Sequence, residues 1–113
     1  MTFGPVTDDL LPGAHNAIDT CLAVRRGERI ALVADQASRE VAASLERALD
    51  SAGAAATCLL IESVARRPIT SAPAEILDAF DRADAGILCV QPQEGELPAR
   101  MAIVGLIERR RIR

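Results

Sequence analysis

The side chains that could do chemistry in this sequence are few and widely spaced. Asp35 closes an apolar run, where a carboxylate could serve as a general base or hold a ribose hydroxyl. The same position suits an acid that caps the following helix, which is the simpler reading. Ser38 is three residues on and is likewise read as a helix N-cap. As a nucleophile it would need a base, and the only histidine, His15, belongs to a helix preceding the first strand, where it is expected on the polar side. Glu94 and Glu96 could pair with Asp35 as acid and base across a crevice, but their spacing does not require it. With Gln36 and Gln91, the residues Asp35 and Ser38 make up the set expected to face a ligand from the loops. No catalytic and no metal-ligating residue is assigned.

Other chemistries lack their residues. The chain has no lysine, which removes Schiff-base and phosphate-loop lysine mechanisms. Neither an H-E-x-x-H nor a C-x-x-C spacing occurs, and the segment after the first strand holds no glycine with which to approach a pyrophosphate. Cys21, Cys58 and Cys89 each lie in an apolar run and are read as buried free thiols of a reducing compartment, which places the protein in the cytoplasm. Arg66 and Arg67 are expected to decorate a loop. Arg109, Arg110 and Arg111 are expected at a helix C-terminus, where cations gain about 0.3–1 kcal/mol.

The elements that would carry these residues follow from periodicity. Leu11, Ala14, Ile18, Cys21 and Leu22 mark a helix ending near Val24, and Arg25-Arg26-Gly27-Glu28 is a turn. Ile30 to Ala34 is uninterrupted and apolar, as in a strand covered on both faces. Ser38 then opens a helix with Val41, Leu45, Ala48, Leu49 and Ala52 inward and Gly53 just past its end. A second apolar strand spans Ala55 to Ile61, and a polar connection runs from Glu62 to Ala72. Pro73 is placed at the first position of a third helix with Ile76, Leu77, Phe80 and Ala83 inward, followed by a third strand, Ala85 to Val90. A loop from Gln91 to Gly95 leads to a fourth helix from Pro98, in which Gly105 costs about 1 kcal/mol relative to Ala.

Strands alternating with helices predict a three-layer α/β domain, a short parallel sheet of three strands in the Rossmann-like or flavodoxin-like manner, with about four flanking helices. The first strand is expected in the middle, with the Asp35 and Gln91 loops beside one crevice. At 113 residues the chain forms one domain and buries roughly 60–70% of its unfolded surface. Phe3 and Phe80 are its only aromatics, so the core rests on Ala and branched aliphatics. A net charge of −3 argues against nucleic acid and anionic membranes as partners, and no run approaches the length of a membrane span. After Arg110 only Ile112 is available to begin a fourth strand, so residues 1–113 are expected to be the N-terminal part of a longer two-domain protein.

The segment Ala14 to Val90 resembles the N-terminal domain of the thermophilic metallo-aminopeptidases, the aminopeptidase T family. The resemblance is carried by Cys21-Leu22-Ala23-Val24, Arg26-Gly27-Glu28-Arg29 and the strand Ile30 to Ala34 closing on Asp35. It continues through Ala52-Gly53, the strand Ala55 to Ile61 and Arg82-Ala83-Asp84-Ala85. It implies a two-domain hydrolase that removes N-terminal residues from peptides, with a divalent metal pair (Zn, Co or Mn) held by a C-terminal catalytic domain. This chain would bind no cofactor itself, and alone it would be inactive. Some relatives resemble iron-dependent ring-cleaving dioxygenases, which leaves the parent reaction open. The alternatives from other classes are a stand-alone small-molecule or nucleotide-binding module, and a dimerising interaction domain.

Overall fold

A computed structural model describes residues 2–91 and 93–113. Met1 and Pro92, the latter part of the third strand-end loop, lie outside the described residues. Strands β1 (Arg29–Ala34), β2 (Ala55–Leu60) and β3 (Ala85–Cys89) form one parallel sheet in the order β2-β1-β3. Opposite Ile30 stand Ala56 on one side and Ala85 on the other. The expected class and the central place of the first strand are both found.

The centre of the sheet explains the unbroken apolar run of β1. Ile30, Leu32 and Ala34 point to one layer, with α1 (Leu11–Asn16) and α2 (Arg39–Ser51). Ala31 and Val33 point to the other, with α4 (Ala74–Asp81) and α5 (Leu97–Arg110). Both layers are shut off from water, and Ile30 to Ala34 are all buried. The edge strand β2 is much more open, with Ala55, Ala56 and Thr57 exposed. Phe3 is buried in the α1/α2 layer and Phe80 in the α4/α5 layer, so each side of the sheet has one aromatic residue.

Several expected boundaries shift for local reasons. The first helix widens to π-type bonding over Ala17–Cys21 and stops before Val24, because Ala23 turns into the left-handed region at φ 50°. That early stop leaves Cys21 exposed rather than buried. Cys58 and Cys89 are half-buried free thiols. Burial, with help from Glu46, pushes the Cys58 thiol up to about 12, and burial raises Cys89 as well. Of the residues expected inward on α2, Leu45, Ala48 and Leu49 are buried, while Val41 is 46% exposed; Ala42, Ala43 and Ser44 are buried with them and widen the core face. Pro73 is the N-cap of α4 rather than its first residue, held extended at ψ 140°. The connection after β2 contains a single helical turn, α3 (Ile61–Val64).

Gly27 adopts φ 83°, a conformation that side chains disfavour, and its N–H donates to Gly53 O at 2.9 Å. That bond ties the turn before β1 to the turn before β2 and sets their common register. At the other edge of the sheet, Arg113 lies beside β3: its N–H faces Asp84 O at 3.5 Å, and its carbonyl accepts from Gly86 N at 2.9 Å. These are the two bonds of a parallel pair opposite Ala85. Arg113 also reaches Glu28 Oε1 at 2.6 Å, which holds the carboxyl of Glu28 below its ordinary value.

Candidate functional site

In open parallel sheets ligands gather where the strands end, and here that region is organised around one arginine. The connection after α3 carries Arg67 over the tips of β1 and β3, where its side chain is only 9% exposed. Nε donates to Glu96 Oε2 at 3.0 Å and Nη2 to Glu96 Oε1 at 2.5 Å, a two-pronged pair of the geometry that guanidinium favours. Nη1 donates to Asp35 Oδ2 at 3.0 Å and lies 3.5 Å from Glu62 Oε2; Nη2 also reaches Gln91 O at 3.1 Å. Arg67 is therefore no loop decoration. It is the hub of the polar crevice.

The acids carry more negative charge than one arginine can offset, and backbone donors make up the difference. Asp35 accepts from Ser38 N at 2.9 Å and from Gln91 N at 2.8 Å. Glu96 accepts from Ile69 N at 2.9 Å, and Glu62 from Gln36 N at 3.1 Å. Burial pushes the Asp35 carboxyl up, but the Gln91 and Ser38 amides and the Arg67 guanidinium outweigh it and hold the group below its ordinary value. For Glu96 the bond from Arg67 dominates over burial, again with a lowered result. The Arg67 guanidinium is pushed further up by the same contacts, so it stays charged.

The four residues expected to face a ligand thus have distinct places. Asp35, Ser38 and Gln91 are drawn together, because the Asp35 carboxylate bonds the backbone N–H of the other two. Ser38 stands at the N-cap of α2, yet its side chain makes no capping bond; Asp35 does the capping, of the short 3-10 turn Gln36–Ser38. Gln36 and Gln91 are exposed. Of the acids considered with Asp35, Glu96 meets it through Arg67, whereas Glu94 is exposed. His15 is on the far layer, its side chain 41% exposed and 3.9 Å from Asp19.

Arg67 and Glu96 were missed as partners because nothing in their local pattern marks them. The signal available was Asp35 itself: an acid ending a strand covered on both faces must be buried, and a buried carboxylate requires a cation or several donors. Beside the cluster lies a small cavity of about 90 Å³ between α5 and β3, walled by Ile61, Ile69, Leu88, Val90 and Ile103, with Glu96 and Arg100 at its polar side. Arg100 is occupied in a bond to Val90 O at 3.0 Å.

The donor set does not fit a metal pair. Among the described residues no three His, Cys, Asp or Glu side chains converge on one point, and the acids at the strand tips close on Arg67. Among the described residues no helix is long and apolar enough to cross a membrane. Compared with known proteins, the chain matches no family model, no curated protein and no solved structure.

Proposed function

We propose that this chain is the N-terminal α/β domain of a metallo-aminopeptidase-like hydrolase, a non-catalytic wall of a peptide-binding cleft whose metal pair and catalytic groups belong to a C-terminal domain. The observation that carries the reading is the Arg67 hub: the acids Asp35, Glu96 and Glu62, at the place where an α/β domain meets its ligand, are spent on holding one another's loops. Such a cluster fixes the shape of a surface and leaves the reacting groups to be supplied from elsewhere. The peptidase parentage rests on the resemblance of the sequence motifs alone. In this role the chain binds no metal and contributes rigidity to the cleft.

The test is direct. The 113-residue chain, supplied in turn with zinc, cobalt or manganese and with aminoacyl chromogenic substrates, is expected to give no turnover above the metal blank. Turnover abolished by a chelator would overturn the assignment of a non-catalytic wall.

One observation favours a second reading, a small-molecule module: the apolar cavity beside Leu88 and Val90 opens at the strand ends. Titration with nucleotides and with short apolar peptides, followed by amide chemical shifts, would then perturb the segments around Gln36 and Gln91 together with Leu88. Shifts confined to other surfaces would remove this reading.

A further inference from the structure

The cavity between α5 and β3 combines aliphatic walls with a cation whose charge the domain leaves uncompensated. Ile61, Ile69 and Ile103 are buried around it, and Leu88 and Val90 are partly so. Water in such a space finds few hydrogen-bond partners, so an aliphatic group that displaces it gains burial without breaking polar contacts. Two side chains of opposite charge reach the cavity, Glu96 and Arg100. They differ in how far the protein already answers them.

Glu96 is fully engaged. Its Oε1 accepts from Arg67 Nη2, and its Oε2 accepts from Arg67 Nε at 3.0 Å and from Ile69 N at 2.9 Å. Arg100 is the reverse case. Its side chain makes one hydrogen bond among the described residues, from Nη1 to Val90 O at 3.0 Å, which orients the guanidinium without neutralising it. Arg67, Arg82, Arg110 and Arg113 all have acidic partners, whereas no carboxylate among the described residues lies within ion-pair distance of Arg100. Its Nε and Nη2 are left open, the same edge with which Arg67 holds Glu96.

We infer that this cavity binds a short branched aliphatic carboxylate, its tail among Leu88, Val90 and Ile103 and its carboxylate on Nε and Nη2 of Arg100. The inference rests on the small-molecule reading and names the ligand class for that site. Volume sets the tail: an apolar cavity of about 150 Å³ holds the six carbons of benzene. By proportion, the space of about 90 Å³ here holds about four carbons, the size of an isobutyl group, and a nucleobase is too large for it. Charge sets the head, because a guanidinium edge takes a carboxylate through two parallel N–H···O bonds and repels an amine.

Titration of the nitrogen-labelled chain with isovalerate at about pH 7, where the acid is ionised, reads the proposal through chemical shifts. Saturable shifts are expected at the amides of Ile69, Leu88 and Ile103 and at the Arg100 Nε–H. Isobutyrate, one tail carbon shorter, should bind about fourfold more weakly. Isopentylamine, with the same tail and the opposite charge, and acetate, with the charge and no tail, should leave these signals in place. N-acetylleucine presents the same tail and carboxylate as a peptide C-terminus. Tighter binding than isovalerate supports a peptide end as the source of the ligand, and weaker binding supports a free acid.

Arg100→Met is expected to weaken isovalerate about tenfold, and Arg100→Lys, which keeps the charge, to restore part of the loss. Leu88→Phe fills the space and should abolish the shifts without touching Arg100. Equal affinity for isovalerate and isopentylamine, or isovalerate binding unchanged in Arg100→Met, would overturn the proposal. Shifts at these residues with nucleotides or apolar peptides but none with isovalerate would overturn the ligand class and keep the small-molecule reading. Silence with all of them would remove both.

Discussion

Arg67→Met is expected to lower the free energy of unfolding by about 3–5 kcal/mol near pH 7, a large share of the roughly 5–15 kcal/mol available to a domain of this kind. The substitution leaves the side-chain volume nearly intact, so the loss reports charge rather than packing. Asp35 and Glu96, 1% and 8% exposed, would be left without their cation. Arg66→Met, at the exposed neighbouring position, is the control and should stay within about 0.5 kcal/mol of wild type. Urea unfolding of the three proteins measures both effects; equal stability of Arg67→Met and wild type would remove the hub from the account of the fold.

The pH dependence should change sign with that substitution. In the wild type both carboxyls are held below their ordinary values, near about 4, so the unfolded chain binds more protons than the folded one just below that pH. Their stabilisation is complete above the unfolded values and is lost as the pH falls through the lowered folded ones. Without Arg67, burial acts on Asp35 and Glu96 with less opposition and raises their folded values. The variant should then recover stability on mild acidification, while the wild type is flat over the same range and declines only at lower pH. Urea midpoints measured from about pH 7 down to about pH 3 distinguish the two slopes.

The second large effect concerns the only aromatic residue in the α4/α5 layer. Phe80 is fully buried, and Phe80→Ala is expected to cost about 3–5 kcal/mol through lost burial and the cavity left behind. The Cδ1–Cε1 edge of its ring faces β3 at Gly86, where a Cβ would come within 2.6 Å of Cε1 and 2.7 Å of Cδ1. Gly86→Ala therefore forces the ring off its seat and should cost about 1–3 kcal/mol. In the double variant Phe80→Leu, Gly86→Ala the narrower side chain makes room for the methyl group, so the combined loss should be smaller than the sum of the single losses. Thermal or urea unfolding of the four proteins gives the coupling directly. Strict additivity would mean that ring and strand do not press on each other.

These two sites differ in how far the residue pattern reveals them. Phe80 is legible as an inward residue of an amphipathic helix, at a spacing of four from Ile76. Its contact with Gly86 is not, because the glycine belongs to the next strand and only the packing of α4 on the sheet brings the two together. Arg67 is still less legible. It stands in a polar connection among serine, threonine and proline, beside an arginine that is in fact exposed. The partners Asp35 and Glu96 are 32 and 29 residues away. Local periodicity carries no information over such distances.

Elsewhere the departures follow from edges and ends, where local preference is weakest. The expected inward place of Val41 fails in the first turn of α2, just after the 3-10 turn Gln36–Ser38, whereas Leu45, Ala48 and Leu49 farther along are buried as expected. The first helix stops early because its last turn widens and Ala23 adopts a left-handed conformation. Capping by Asp35 in place of Ser38 follows from the same turn, since the carboxylate lies within reach of Ser38 N.

The order of residues alone determined the class of the fold: three apolar runs short enough for strands, separated by segments of helical period, leave a parallel sheet between helical layers as the stable arrangement. The central place of β1 is expected only from setting the Asp35 and Gln91 loops beside one crevice; β3 is an equally unbroken apolar run and yet forms an edge, so the strand order was decided by the tertiary structure. Tertiary structure also decided what the polar residues do. Arg67, Asp35, Glu62 and Glu96 become one cluster only when the parallel crossovers carry their loops to the same end of the sheet, and a buried charge takes its meaning from the neighbours that compensate it.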